Sequence, residues 1–174
     1  MNLREQLLKE HSRANADLIL GYVLEDERRV AGLMDLFLDA EYRVAQRAAM
    51  VVGDLGRIEP DWLITYHGRM IAAADPTAGK HPAIPRNILR FFSELSLEQV
   101  AADYAGNLLD VAFRRFESAT EPVAIRVFAM QVVANFTEEY PELKDELRGI
   151  IEHTIAEGTT PGFRNRGTKI LRKL

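Results

Sequence analysis

Apolar residues recur along this chain at helical spacing, and short polar breaks divide them into segments. Leu3, Leu7 and Leu8 share one face of a segment at 2–10, with Asn2 and Glu5 at capping-box spacing. Segments at 13–24 and 26–38 read as an antiparallel pair: Leu18, Ile19, Tyr22 and Val23 face Val30, Leu33, Met34 and Phe37 across the acidic turn Glu25-Asp26-Glu27. A helix over 41–56 closes near Gly56. Pro60 and Asp61 open a second over 60–74, which carries Leu63, Tyr66, Met70 and Ala74 in register. Three prolines and a glycine make 75–85 the clear loop. A further pair follows at 85–95 and 97–117, with Ser96 and Gln99 spaced as a capping box. In the last full pair, 121–136 and 141–157, Thr120 is read as a cap before Pro122 and Pro141 as a first-turn residue. Residues 163–174 restart the pattern and stop. Strand signals are scarce, so the fold class is all-α.

The segments repeat. Arg47, Arg86, Arg126 and Arg166 lie 39, 40 and 40 residues apart, and each opens an apolar stretch. Ala49-Met50-Val51-Val52, Leu89-Arg90-Phe91-Phe92 and Ala129-Met130-Gln131-Val132 occupy equivalent places. A helical period near 40 points to an α-α superhelix. The segments amount to about four helical pairs and a terminal half repeat. The chain reads as one domain over 1–174, with a divergent N-terminal cap at 1–40 and regular repeats over 41–174. The recurring arginines are expected to pack their stems on the neighbouring repeat and bond carbonyls or acids there. A cationic stripe for an acidic ligand is the alternative.

The run apolar-x-x-Arg followed by small and apolar residues, as in Val44-Ala45-Gln46-Arg47-Ala48-Ala49 and Val123-Ala124-Ile125-Arg126-Val127, resembles the HEAT/armadillo-like helical repeat superfamily. The likeness covers 40–174 and, more faintly, 13–38. It implies a HEAT-like solenoid whose second helices line a concave surface. Family members often carry an acid about six positions before the arginine. Glu41, Lys80, Thr120 and Thr160 stand there, so a regular acid–arginine ladder is not expected. Val127–Gln131, Tyr140–Leu143 and Arg164–Leu171 are also similar to short bacterial HEAT-like proteins. HEAT-like DNA glycosylases, which grip a duplex on a basic face, are a further resemblance.

Charge weighs against that last relative. The net charge is −4, but the first 157 residues hold 17 basic and 26 acidic groups, whereas 158–174 hold Arg164, Arg166, Lys169, Arg172 and Lys173 and no acid. An acidic body lacks the surplus of cations that phosphate backbones require. The basic tail complements a helix C-terminus or, as the alternative function, binds nucleic acid. Cysteine is absent, which removes disulfides, thiolate metal sites and a cysteine nucleophile. The N-terminal segment is broken by Arg4, Glu5, Lys9 and Glu10, and no apolar run is long enough to span a bilayer. A soluble, cytoplasmic protein is expected.

Chemistry is sparse. His11, His67, His81 and His153 show no helix-borne metal spacing, and Ser12, Ser93, Ser96 and Ser118 lie outside any nucleophile elbow. Gly79-Lys80 lacks the frame of a phosphate loop. No catalytic constellation, metal or cofactor is therefore expected. The polar faces of the second helices are the better candidates for binding. Gln99, Asp103, Asn107, Asp110 and Arg114 form one stripe; Thr65 and Arg69, then Lys144, Arg148 and Glu152, extend it to either side. The expectation is a non-enzymatic module that binds an unknown protein or peptide through that face, with self-association through its open ends as a further expectation.

Overall fold

The computed structural model describes residues 1–174 as ten α-helices linked by short turns, with no strand. The helices are α1 (Leu3–Lys9), α2 (Arg13–Leu24), α3 (Val30–Leu38), α4 (Tyr42–Ile58), α5 (His67–Ala74), α6 (Ala83–Ser93), α7 (Ala105–Glu117), α8 (Val123–Phe136), α9 (Leu143–Ala156) and α10 (Pro161–Leu171). Helices α2, α4, α6, α8 and α10 pack successively on one another and form one layer. Helices α3, α5, α7 and α9 form the second, and their mutual contacts are much sparser. Four pairs and a closing half repeat result, with α1 laid across α2, α3 and α4.

One continuous apolar core runs between the layers, from Leu7 through Phe37, Leu55, Phe92, Phe116 and Met130 to Phe163. Each first-layer helix is buried on the face set by its 3.6-residue period. In α4 that face is Val44, Ala45, Ala48, Val51, Val52 and Leu55. In α8 it is Ile125, Ala129, Met130, Val132, Val133 and Phe136. One assignment in the N-terminal pair fails: Leu18 is half exposed, and Leu20 is buried beside Ile19 and Val23 instead.

Several helix C-termini are closed by side chains from elements further along the chain. The last carbonyls of a helix lack intrahelical donors and carry its negative dipole end, so cations and amides are favoured there. Arg47 Nη1 donates to the Leu7 carbonyl of α1 at 2.7 Å. Arg29 donates to Tyr22 in α2, and Lys80 Nζ to Leu38 in α3 at 2.8 Å. The buried Arg115 donates to Ala74 and Asp75 at the end of α5 and pairs with Glu121. Asn135 Nδ2 reaches Ser93 and Leu95 at the end of α6. Arg126 Nε donates to Phe116 of α7 at 2.9 Å while its guanidinium lies 4.6 Å from the Phe163 ring centroid. These bonds tie each repeat to its neighbour through helix ends.

Several local expectations shift. The second segments at 60–74 and 97–117 are not continuous α-helix. Tighter 3-10 turns occupy Pro60–Tyr66, Leu97–Gln99 and Ala102–Tyr104, and regular helix follows only at His67 and Ala105. The capping box between Ser96 and Gln99 is present, but it closes one of these turns. Helix α4 runs through Gly56 to Ile58, so Gly56 is a packing residue and not the stop. Helix α6 begins at Ala83, inside the expected loop, and holds Pro85 in its first turn. Pro122 stands at the N-cap of α8, so Thr120 does not cap it, and Thr120 bonds Ser118 instead. Pro141 lies before α9. Thr160 caps α10 by accepting from the Phe163 N–H, which starts that helix two residues early.

Candidate functional site

The sparse packing of the second layer leaves a groove of about 400 Å³ between α5 and α7. Gly68, Ile71 and Ala72 form one wall, and Tyr104, Asn107, Asp110, Val111 and Arg114 form the other. Asp75, Thr77 and Ala78 close one end. Gly68 is what permits the walls to approach at the rim, because a Cβ there would sit 2.6 Å from Tyr104 Cζ. Tyr104 itself stays largely exposed along the edge.

Electrostatically the groove is a bridged acid pair. Arg114 spans Asp75 on one repeat and Asp110 on its own helix, 2.8 Å from the latter. Asp75 also accepts from the Thr77 N–H and hydroxyl at 2.8 and 2.7 Å, which starts a single 3-10 turn at Pro76–Ala78. The Arg114 guanidinium, then the Thr77 bonds, hold the Asp75 carboxyl well below the usual carboxylate range. Two carboxylates against one guanidinium leave a single negative charge in excess.

The structure thus brings together three of the residues singled out above, Asn107, Asp110 and Arg114, and all three are exposed. Asp103 stands exposed in the turn before Tyr104, just outside the groove. Arg69 follows Gly68 in the first turn of α5 and is held by Asp35 of α3 and by Asp39 at the end of that helix, at 2.9 and 2.8 Å, so it links its repeat to the preceding one. Arg148 and Glu152 sit on α9 with no ion pair or hydrogen bond from their side chains, away from the groove. Helix α9 packs on α8 and α10, so the stripe is interrupted between α7 and α9. In the basic tail Arg166 turns inward to Gln131 at 2.9 Å, leaving Arg164, Lys169, Arg172 and Lys173 exposed.

Asp75, Thr77 and Tyr104 complete the groove and were not anticipated. Asp75-Pro76-Thr77 carries a legible signal, an Asp accepting from the N–H two residues on, but it lies in a stretch read only as loop. Tyr104 falls at an apolar register position, where burial is the natural expectation. No three or more histidine, cysteine, aspartate and glutamate side chains gather to hold a metal, and no helix is long and apolar enough to cross a membrane.

A family model described as a HEAT repeat domain matches residues 3–174. No curated protein and no solved structure matches the chain. The match spans α1 to α10 and agrees with four helix pairs, a closing half repeat and a core continuous between them. HEAT repeats generally mediate protein interactions, and the chain belongs to the HEAT repeat family.

Proposed function

We propose that the protein is a non-enzymatic interaction module that takes up a segment of a partner protein along its second-helix face, with the α5–α7 groove at the centre. The observation that supports this reading is the convergence of Asn107, Asp110 and Arg114 with Asp75 and Tyr104 on one open groove between repeats. An exposed tyrosine beside hydrogen-bonding side chains suits an extended segment, which needs an aromatic contact and polar registration. The excess negative charge, with exposed Asp103 beside it, favours a lysine or arginine in that segment. A longer segment would reach Arg69 on one side and, beyond the interruption, Arg148 and Glu152 on α9.

The test is binding of a partner that copurifies with the protein from its own cells, repeated with both components purified. Asp103→Lys with Asp110→Lys should weaken it by about tenfold or more. Thermal stability should be nearly unchanged, because both side chains are exposed. Full retention of the partner by this double variant, or no partner in any pull-down, removes the proposed face.

A further inference from the structure

A second polar cleft, of about 310 Å³, lies on the opposite layer between α4 and α6, where the turn between α1 and α2 meets them. Its lining is unusual for a repeat surface: Arg13, Arg57, Arg86 and Arg90 against Asp54 and Glu94, with few apolar residues. The two acids are already engaged. Asp54 accepts from Arg13 at 2.8 Å and Arg57 at 2.6 Å, and Glu94 from Arg57 at 2.8 Å and Arg90 at 3.2 Å. Arg13 also pairs with Asp17 on its own helix at 2.6 Å, so the chain runs Asp17–Arg13–Asp54–Arg57–Glu94–Arg90 and ends on a cation only at Arg90.

Arg86 stands outside that chain. It is the repeat arginine of α6, and its equivalents all have partners: Arg47 on the Leu7 carbonyl, Arg126 on the Phe116 carbonyl and Arg166 on Gln131. Arg86 alone makes no hydrogen bond or ion pair, yet it is half-buried on the cleft wall. At its acidic-partner position the chain has Lys80, which turns to Leu38 and Asp39 instead. With Asp17 set against Arg13, four guanidiniums face three carboxylates, and the charge in excess is that of Arg86.

We propose that this cleft binds a compact dianion of the phosphate-monoester class, with Arg86 as the principal donor and Arg90 closing on it. Such a group carries about −1.5 to −2 at neutral pH and would draw on the unpaired Arg86 and on Arg90, and guanidinium forks match its oxygens bidentately. Asn87 and Gln46 on the same walls add neutral donors. The volume, at the lower end of small-ligand sites, holds the phosphate together with part of the molecule that bears it. The site is on the other layer from the α5–α7 groove and stands or falls independently of it.

The experiment is calorimetric titration of the intact protein with inorganic phosphate and, separately, with phosphoserine, against sodium chloride at matched ionic strength. Both phosphates should bind, and each should compete with the other. Tighter binding of phosphoserine assigns the cleft to an esterified phosphate, and tighter binding of inorganic phosphate to the free ion. Arg86→Gln should weaken binding about tenfold or more, with Arg86→Lys between it and wild type. Arg164→Gln, which removes the same charge from an exposed, unpaired position on α10, should change it less than about twofold. Without ligand, Arg86→Gln should melt like wild type, because the side chain has no partner to lose. No heat beyond the chloride control, or equal binding by Arg86→Gln and wild type, overturns the site.

Discussion

His67 is fully buried at the start of α5, edge-on to Phe92 with ring centroids 5.0 Å apart. Its Nδ1 accepts the Ala101 N–H at 3.2 Å, and Nε2 has no polar partner. Burial pushes its pKa down to about 4, so the ring stays neutral in the folded protein. An unfolded histidine titrates near 6.5. Between those values the unfolded chain holds a proton that the native state does not. Stability is therefore unaffected above about pH 6.5 and is lost as pH falls toward 4, by about 3 kcal/mol in total. Asn in place of His67 keeps an acceptor near Ala101 and cannot titrate. Urea unfolding at pH 7, 5.5 and 4.5 should show a shallower acid loss in His67→Asn than in wild type; equal slopes would contradict this account. A second buried side chain, Arg115, closes α5 and pairs with Glu121. Arg115→Met should cost about 3 kcal/mol in the same assay, since the half-buried Glu121 is left without its cation. Adding Glu121→Gln should recover part of that loss, and a double variant no better than the single would show that the pair matters little. Arg115 was legible in principle: Leu108, Val111 and Ala112 place it on the apolar face of α7. The adjacent Arg114 faces solvent, and the two differ only in register.

Among the helices, the apolar period located α2, α4 and α8 closely, because each is a long apolar stretch between polar breaks, although in α2 it set Leu18 rather than Leu20 on the buried face. The second segments were harder to place. Residues 97–104 have helical composition, but one local and one tertiary demand break them: the Ser96–Gln99 box holds a single tight turn, and Ala101 turns its N–H to His67. The box is legible from spacing, whereas His67 lies far from Ala101 along the chain and outside any local window. The groove inherits the same difficulty. Asn107, Asp110 and Arg114 lie on regular helix and were found by spacing, whereas Asp75 and Tyr104 lie on the turns that position them. Gly56 illustrates a subtler failure, since a glycine near a helix end reads as a stop. Here it admits the edge of Phe91, and a Cβ would fall 2.3 Å from Phe91 Cε2 and 3.3 Å from Leu63 Cδ1. Phe91 is itself buried and cannot yield freely. Gly56→Ala should therefore destabilise the protein by about 1–3 kcal/mol through overpacking between α4 and α6, despite alanine's better helix propensity. A chemical denaturation midpoint at or above wild type would show that the two helices can separate at little cost.

Across the whole molecule, contacts run mainly between neighbouring elements, so stability is set by each repeat and its interfaces. The period of 40 residues made that architecture readable, since only stacked neighbours can bury faces that recur so regularly. It did not reveal how evenly the repeats are held. Helix α4 buries eight residues and α8 six, but α9 buries only Leu147 and Ile151. Each buried aliphatic side chain contributes about 1.5–3 kcal/mol, so the difference is large on the scale of a domain's stability. No side chain from another element bonds the last carbonyls of α9, whereas α5, α6 and α7 each receive one. Helix α9 should therefore open by itself. Native-state hydrogen exchange should show its amides protected by at least about 2 kcal/mol less than those of α4 and α8, with little dependence on denaturant. Helix α10, which buries Phe163 against Phe116 and covers α8, should stay with the stable part of the array. Equal protection of α8 and α9 would mean that the array opens only as a whole, and that the weak attachment of α9 is compensated through α10.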